Sequence, residues 1–169
     1  MTAKVTRTVA ATTLAGALLF GAAVWHAATG EAGDPGARPA AGHWPQWRGP
    51  RRDGVSPETG LLKEWPEKGP PLAWLAAGLG AGVGSVAIEG GRVYVIGKAG
   101  DDEQLVALDE ATGKKVWAAA LGPAVRGENP LMRWLSQRTP TVDGERVYGF
   151  TTRGALVCVK AADGQEVWR

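Results

Sequence analysis

Two groups of residues have side-chain types that ligand binding would require. The run Gly78-Leu-Gly-Ala-Gly-Val-Gly84 is as glycine-rich as a phosphate-binding loop, but it has neither the dinucleotide spacing nor the Lys-Ser/Thr pair of a P-loop. It also precedes a predicted strand, whereas a phosphate loop is followed by a helix N-terminus. We interpret these glycines as the start of a strand that another backbone approaches closely. Asp101-Asp102-Glu103 offers carboxylates of the kind that bind Ca²⁺. No regularly spaced oxygen ligands surround it, so a solvated hairpin tip is the favoured interpretation.

Nucleophilic and histidine-based catalysis has little support in this sequence. His43 is the only histidine after residue 30. A histidine metal site, a Ser-His-Asp triad or a histidine general base would therefore depend on that one residue. The sequence predicts no catalytic, cofactor-binding or metal-binding residue in this chain.

Tryptophan is the remaining candidate, because aromatic rings stack on quinones and sugars. Trp117 and Trp168 occupy matching positions of the internal repeat described below, which favours structural packing. Trp134 lies in Asn129–Ser136, a segment with no counterpart elsewhere in the chain. Loops carry function more often than strands do, so Trp134 is the candidate contact for a partner or ligand.

Charge and cysteine content exclude two classes of protein. Lys4 and Arg7 are two of the 19 basic residues and all 17 acidic residues follow Gly30, so the rest of the chain is balanced. This balance argues against a nucleic-acid partner, which needs a basic surplus. The basic cluster of Arg48, Arg51 and Arg52 has acidic neighbours and is interpreted as solvated surface. Cys158 is the single cysteine, so no internal disulfide forms, and its apolar surroundings predict a buried thiol.

Residues 1–30 have the three parts of a secretory signal. Lys4 and Arg7 precede an uncharged apolar stretch over residues 8–25, and small residues follow before the first acidic residue, Glu31. We expect cleavage, with retention as an inner-membrane anchor by residues 8–25 as the alternative. Either outcome predicts a periplasmic or secreted protein. Residues 31–42 are rich in Gly, Ala and Pro and are expected to form a flexible linker.

An internal repeat indicates the fold. Ser85–Tyr94 matches Thr139–Tyr148 at an offset of 54, and Leu105–Trp117 matches Leu156–Trp168 at an offset of 51. The difference in offset predicts a longer loop at Lys98–Glu103 in the first unit. Each unit is expected to form four short strands, which in the first unit are Ser85–Ile88, Arg92–Ile96, Gln104–Leu108 and Lys115–Ala119. Repeated four-stranded units of this length are typical of propeller blades.

The motif Ala107-x-Asp109-x-x-Thr112-Gly113-Lys-x-x-Trp117 resembles the tryptophan-docking repeat of pyrroloquinoline-quinone (PQQ) propellers. In that family the tryptophan packs between blades, and the turn with its glycine docks against the indole. The second unit is degraded, because Cys158, Lys160 and Asp163 replace the alanine, aspartate and threonine, and its side-chain hydrogen bonding is expected to differ. The resemblance implies structural docking roles for Ala107, Asp109, Thr112, Gly113, Trp117, Gly164 and Trp168.

The segment that precedes the repeats also resembles exported bacterial PQQ-like propeller proteins. It reads Trp44-Pro-Gln-Trp-Arg-Gly-Pro-Arg-Arg-Asp-Gly-Val-Ser56, with Leu61-Leu-Lys-Glu-Trp-Pro66 after it. We therefore expect an all-β partial β-propeller over residues 43–169, with an irregular Trp- and Pro-rich segment before two four-stranded blades at about 85–119 and 139–169. A closed ring needs roughly four to eight blades, so the chain is expected to be the N-terminal part of a longer protein or a truncated gene model.

Two functions remain open from the sequence. The favoured one is a non-catalytic exported scaffold that binds proteins, since docking repeats specify a fold and not a chemistry. The alternative is the N-terminal part of a PQQ-dependent dehydrogenase, with its active site in other blades. The resemblance implies PQQ and calcium as cofactors only under that alternative, and the single cysteine cannot form the vicinal disulfide common in such enzymes.

Overall fold

A computed structural model describes residues 42–125 and 138–169 of the chain. The expected leader (1–30), residues 31–41 of the expected linker, and Trp134 lie outside these ranges. The described part forms two four-stranded antiparallel sheets, each with its strands in chain order, as the repeat predicts. Sheet A consists of β1 (Ala87–Glu89), β2 (Arg92–Ala99), β3 (Asp102–Asp109) and β4 (Lys115–Pro123), and sheet B of β5 (Thr141–Asp143), β6 (Arg146–Phe150), β7 (Leu156–Lys160) and β8 (Glu166–Trp168). Across both described ranges, no helix has the length and apolarity to cross a membrane.

Glycine sets the first hairpin of each sheet. Gly90 and Gly91 connect β1 to β2 and both have positive φ (58° and 73°), the conformation that two-residue hairpin turns require. Gly144, at φ 54°, takes the corresponding position between β5 and β6. A side chain with a Cβ is disfavoured there, so these glycines establish the register of the first two strands.

The longer loop predicted at Lys98–Glu103 is wrong. β2 and β3 continue through this segment and pair as far as Ala99↔Asp102, which leaves only Gly100 and Asp101 as the turn. The additional residues of the first unit lengthen its two central strands to 8 residues each, against 5 in β6 and β7. Extending a ladder satisfies the added backbone groups internally, which a loop of the same length would leave to solvent.

The two sheets stack face to face around one core. Alternate residues along each strand point to the same side of a sheet, and one side of sheet A packs against one side of sheet B. Both sheets contribute buried residues to this cluster: Ala87, Tyr94, Ile96, Leu105, Ala107, Trp117 and Leu121 from sheet A, and Val142, Val147, Val157 and Val159 from sheet B. Gly149 makes the close packing possible, because a Cβ there would lie 2.9 Å from the Leu121 side chain.

The second face of each sheet has a different environment. In sheet A that face is covered by chain that precedes β1, where Trp74, Ala76 and Leu79 pack on Val93, Val106 and Leu108. In sheet B the face turned away from sheet A carries exposed aromatic and aliphatic side chains, among them Phe150, Leu156 and Trp168. One blade is therefore covered on both sides by described residues and the other on one side.

The Trp-rich segment ties the two sheets together at their first strands. Trp44 exchanges two backbone hydrogen bonds of 2.8 Å with Ile88 of β1, and the Pro45 carbonyl accepts one of 2.8 Å from the Val142 N–H of β5. Gly49 lies against the Trp44 ring at a φ of 79°, and a Cβ there would come within 2.8 Å of the indole. This contact requires glycine both sterically and conformationally.

The basic cluster beside it is surface, as expected. Arg51 pairs with Asp53 at 2.9 Å, and Arg52 donates to the Gln46 side chain at 3.1 Å. The side chains of all three arginines are satisfied locally or stacked, with Arg48 lying 5.3 Å from the Trp47 ring. All three guanidinium groups therefore interact with neighbouring residues of the same segment.

Candidate functional site

The contact between the sheets centres on Trp117. Trp117 lies in β4, where it pairs with Ala107 of β3, and it is 9% exposed. Its indole Nε1 donates a 3.1 Å hydrogen bond to the Ala161 carbonyl, in the turn between β7 and β8. Gly164 of that turn has a φ of 76°, and a Cβ there would lie 2.6 Å from the indole. The tryptophan of one unit thus contacts the turn and glycine of the next.

Arg92 adds a second contact to the same turn. Its Nη1 donates to the carbonyls of Ala161 (3.3 Å) and Ala162 (3.0 Å). Hydrogen bonds from an ionised donor such as this guanidinium are stronger than those from a neutral donor. The sequence analysis did not identify Arg92, although its signal was present: Arg92-Val-Tyr94 recurs as Arg146-Val-Tyr148.

The turns of the two units share a backbone and differ in side chains. Gly113 N–H donates to the Asp109 carbonyl at 2.8 Å, and Gly164 N–H donates to the Lys160 carbonyl at 2.9 Å. In the first turn Asp109 Oδ1 also accepts from the Thr112 hydroxyl (2.6 Å) and N–H (2.9 Å). These bonds, the Thr112 hydroxyl first, hold the pKa of Asp109 below its ordinary value.

The second turn replaces this pattern, as its degraded motif predicts. Lys160 Nζ donates to the Gln165 side chain at 2.6 Å, and Asp163 accepts from the Gln165 N–H at 2.9 Å. The two turns therefore share their backbone hydrogen bond and are completed by different side-chain bonds, and the second still receives Trp117.

Trp74 occupies the first turn in the way that Trp117 occupies the second. Its Nε1 donates to the Glu110 carbonyl at 2.8 Å, and a Cβ on Gly113 would lie 2.5 Å from its ring. Glu110 and Gly113 precede Ala161 and Gly164 by 51 residues each, which is the repeat offset. The sequence analysis missed Trp74 because no docking motif precedes it. Its spacing gave no signal either, because Trp74 precedes Ser85 by 11 residues whereas Trp117 precedes Thr139 by 22.

Glu103 joins the sheets at the end opposite these turns. Its Oε2 accepts from the N–H (2.7 Å) and hydroxyl (2.9 Å) of Thr152, in the turn between β6 and β7. The side chain is 0% exposed, so the prediction that Asp101-Asp102-Glu103 is a solvated tip is wrong for Glu103, although Asp101 and Asp102 are exposed. The reason is that β3 begins earlier than expected. Glu103 therefore lies within the strand, where its side chain faces the second unit.

Comparison with known proteins identifies the family. A family model described as "Outer membrane protein assembly factor BamB" matches residues 19–169. The chain belongs to that family. No curated protein matches it. The all-β fold with PQQ-like propeller repeats, expected from the sequence, is confirmed by this match and by the two four-stranded sheets.

The second unit of this BamB-family chain presents its docking tryptophan to solvent. Trp168 is 44% exposed, and the Tyr148 ring lies 6.0 Å from it at an angle of 50°. The Tyr94–Trp117 pair has nearly the same geometry, 5.9 Å and 50°. Cys158 takes the place of Ala107 beneath the pair and is buried, as predicted. The substitution leaves the ring geometry unchanged.

An open groove of about 420 Å³ lies between the first hairpins of the two sheets, lined in part by Glu89, Arg92, Tyr94 and Arg146. Its size is within the range of small-ligand sites, but the Arg92 guanidinium there is already bonded to the neighbouring turn. Glu89 is paired with His43 Nδ1. Burial raises the pKa of Tyr94, which keeps its phenol neutral.

The described residues were also compared with the side-chain clusters that bind metal ions. Within 42–125 and 138–169, no three His, Cys, Asp or Glu side chains lie close enough to hold one metal ion.

The glycine run at 78–84 has the close approaches that its sequence predicts. Ala81 exchanges two 2.8 Å backbone bonds with Lys98 of β2, and a Cβ on Gly80 would lie 2.6 Å from the Lys98 carbonyl. A Cβ on Gly84 would likewise lie 2.6 Å from the Arg138 carbonyl oxygen. The glycines serve backbone packing at the start of the first blade.

Proposed function

We propose that this chain is a non-catalytic, exported propeller scaffold that binds other proteins. One observation carries the proposal: a series of large apolar side chains is exposed along the segment before the first blade. These are Leu61, Leu62, Trp65, Leu72 and Leu75, each more than 60% exposed. Exposed apolar surface of this kind is typical of protein-binding sites. The name of the matching family, an outer membrane protein assembly factor, supports the same class of function.

The internal contacts support a scaffold in a second way. The aromatic and charged side chains that would attract a ligand are engaged with backbone: Trp74 with Glu110, Trp117 with Ala161 and Arg92 with Ala162. They maintain the packing of the blades. Trp134, the partner contact proposed from the sequence, remains a candidate outside the described residues.

Photo-crosslinking in cells tests protein binding. A photoreactive residue at Leu62 or at Trp134 is expected to give a discrete adduct with another protein. The matched control is Arg153, which is exposed in the β6–β7 turn. Adducts of equal yield at all three positions, or at none, would contradict the proposal.

The dehydrogenase alternative makes the opposite prediction for cofactor. Titration of the purified chain with PQQ and Ca²⁺, followed by absorbance and tryptophan fluorescence, is expected to give no saturable change. A stoichiometric, Ca²⁺-dependent complex would favour the enzyme.

Export forms part of the proposal, with the periplasm or the exterior as the location. N-terminal sequencing of protein recovered from the periplasm is expected to begin between Ala28 and Gly33. Protein that still carries residues 8–25 and sediments with the inner membrane would indicate the anchored alternative. A cytoplasmic product beginning at Met1 or Thr2 would refute export.

A further inference from the structure

One titratable pair joins the Trp-rich segment to the first blade. Trp44 and Ile88 exchange two backbone hydrogen bonds of 2.8 Å in an antiparallel bridge. Residues that flank such a bridge lie directly opposite each other, so His43 faces Glu89 across the two backbones. His43 Nδ1 contacts Glu89 Oε2, and the pair therefore closes one end of this junction.

Glu89 depends on the histidine at this contact. Its Oε2 atom is buried, and among the residues that the structure describes its one polar neighbour is His43 Nδ1. An imidazole Nδ1 donates a hydrogen bond only when it carries a proton. Both ring nitrogens carry one in the charged form, whereas the neutral ring has a single proton that either nitrogen can hold. The charged ring therefore always satisfies the buried oxygen, and the neutral ring does so in only one tautomer.

Carboxylates lie on each element packed around His43. Besides Glu89 of β1, they are Glu58 in the chain that follows and Glu110 in the β3–β4 turn. Glu58 lines the same small cavity as His43 and accepts from the Gly42 N–H at 3.3 Å. Glu110 Oε1 would lie 3.7 Å from a Cβ on Gly42. Nearby negative charge attracts a positively charged ring, so these neighbours favour a protonated His43.

The basic groups near the pair lie on the other side of Glu89. They line the groove between the first hairpins, together with one further carboxylate: Arg92, Arg146, Lys160 and Glu145. Arg92 is bonded to carbonyls of the β7–β8 turn and Lys160 to the Gln165 side chain. Within the described ranges, His43 is therefore the one ion-pair partner of Glu89.

We propose that His43 and Glu89 form a pH-sensitive latch, which fastens residues 42–45 to the edge of β1 more tightly in acid. Histidine is the side chain whose ordinary charge change falls between about pH 5 and 8. As the pH falls through that range, the ring gains a charge and its hydrogen bond to the carboxylate becomes an ion pair, which is stronger. As the pH rises, the ring loses the proton and the contact weakens. The latch depends on neither export nor protein binding.

Hydrogen–deuterium exchange of the full chain between about pH 5 and 8 tests the latch. The backbone amides of Trp44 and Ile88, corrected for the pH dependence of their intrinsic exchange rates, report opening of the junction. Their protection is expected to be about two- to fivefold greater at the acid end, the size typical of a partly exposed ion pair. Amides of β7 are the internal reference and should show no such change. An equal change in β7, or none at the junction, would overturn the proposal.

Three variants identify the groups responsible. His43→Gln keeps a side-chain donor that does not titrate, so protection of the junction should no longer depend on pH. Glu89→Gln removes the negative partner and should lose most of the same dependence. His26→Gln, which replaces the other histidine of the sequence, is the matched control and should behave as the unmodified chain. Full pH dependence in His43→Gln, or its loss in His26→Gln, would refute the latch.

A measurement without substitution covers the case in which a variant fails to fold. Salt screens partly exposed ion pairs. The additional protection of the unmodified chain in acid should therefore shrink as the salt concentration is raised, while the reference amides of β7 stay unchanged. Additional protection that is insensitive to salt would show that no ion pair holds the junction.

Discussion

The tyrosine–tryptophan pairs of sheets A and B have nearly the same geometry but different surroundings. Trp117 is 9% exposed and Trp168 is 44% exposed, although each lies beside a tyrosine at the same distance and angle. The difference comes from the neighbour: Trp117 faces the β7–β8 turn, while the described residues provide no turn for Trp168. A docking motif in a repeat protein therefore encodes the shape of a surface, and an adjacent repeat provides the burial.

The largest expected effect is the loss of stability when the buried Trp117 is removed. Trp117→Ala is expected to destabilise the fold by about 3–5 kcal/mol, a large part of the roughly 5–15 kcal/mol that stabilises a small domain. Denaturant unfolding followed by circular dichroism measures the loss. Trp168→Ala, at the same repeat position but exposed, should change stability by less than about 1 kcal/mol. Equal losses in the two variants would mean that burial at the interface is not what distinguishes them.

A smaller effect is expected on the receiving side of the contact. Gly164→Ala adds a Cβ 2.6 Å from the Trp117 indole at a positive φ. The conformational cost of about 1–2 kcal/mol is joined by an overpacking cost of about 1–3 kcal/mol. Gly144→Ala is the control, since it has a positive φ with no atom within 4 Å and bears the first cost alone. Unfolding curves that coincide for the two variants would contradict the close contact.

The buried carboxylate of Glu103, at the opposite end of the interface, is tested by substitution. Glu103→Ala leaves the Thr152 N–H without its acceptor, and an unsatisfied buried group costs about 1–3 kcal/mol. Glu103→Gln retains an acceptor oxygen and should be less destabilising. Asp102→Ala, at the exposed neighbouring position, should have almost no effect on the unfolding midpoint. A loss for Glu103→Ala as small as that for Asp102→Ala would contradict the buried hydrogen bonds.

The smallest expected effect concerns the hydrogen bond between Thr112 and Asp109, which only the first of the two turns has. Thr112→Val removes the hydroxyl that is the main cause of the lowered pKa of Asp109, so this pKa should rise towards its ordinary value in an NMR titration. A lowered pKa stabilises the fold above the ordinary range of an aspartate and loses that contribution as the pH falls through the folded-state value. Thr112→Val should therefore weaken the acid dependence of stability. Thr139→Val, outside the turn, should leave the Asp109 titration unchanged.

The strand content was predictable because it depends on local chemistry. The Gly90–Gly91 turn and the paired apolar segments around it predict the first hairpin from the sequence, and the structure has it there. The longer loop at Lys98–Glu103 was predicted wrongly, because an insertion between two strands can extend either the loop or the ladder. Only the pairing of Ala99 with Asp102 distinguishes these outcomes.

The pairing of each docking tryptophan with its turn could not be predicted from the sequence. The sequence identified Trp117 and Gly164 by their repeat positions, but each contact joins residues of different units, and no spacing rule connects Trp74 to Gly113. The same limit applies to Glu103, whose two acceptor bonds come from Thr152, 49 residues later. Such contacts depend on how separate units stack.

The amino-acid sequence by itself determined the repeat, the four-stranded units and the glycine turns, because hairpins form between segments close along the chain. Only the tertiary structure decided that Trp74 fills the first turn, that Glu103 is buried and that Trp168 is exposed. The physical reason is that burial and hydrogen-bond satisfaction are properties of the neighbour as much as of the residue. Tryptophans at matching repeat positions therefore differ in burial, because one faces a described blade and the other does not.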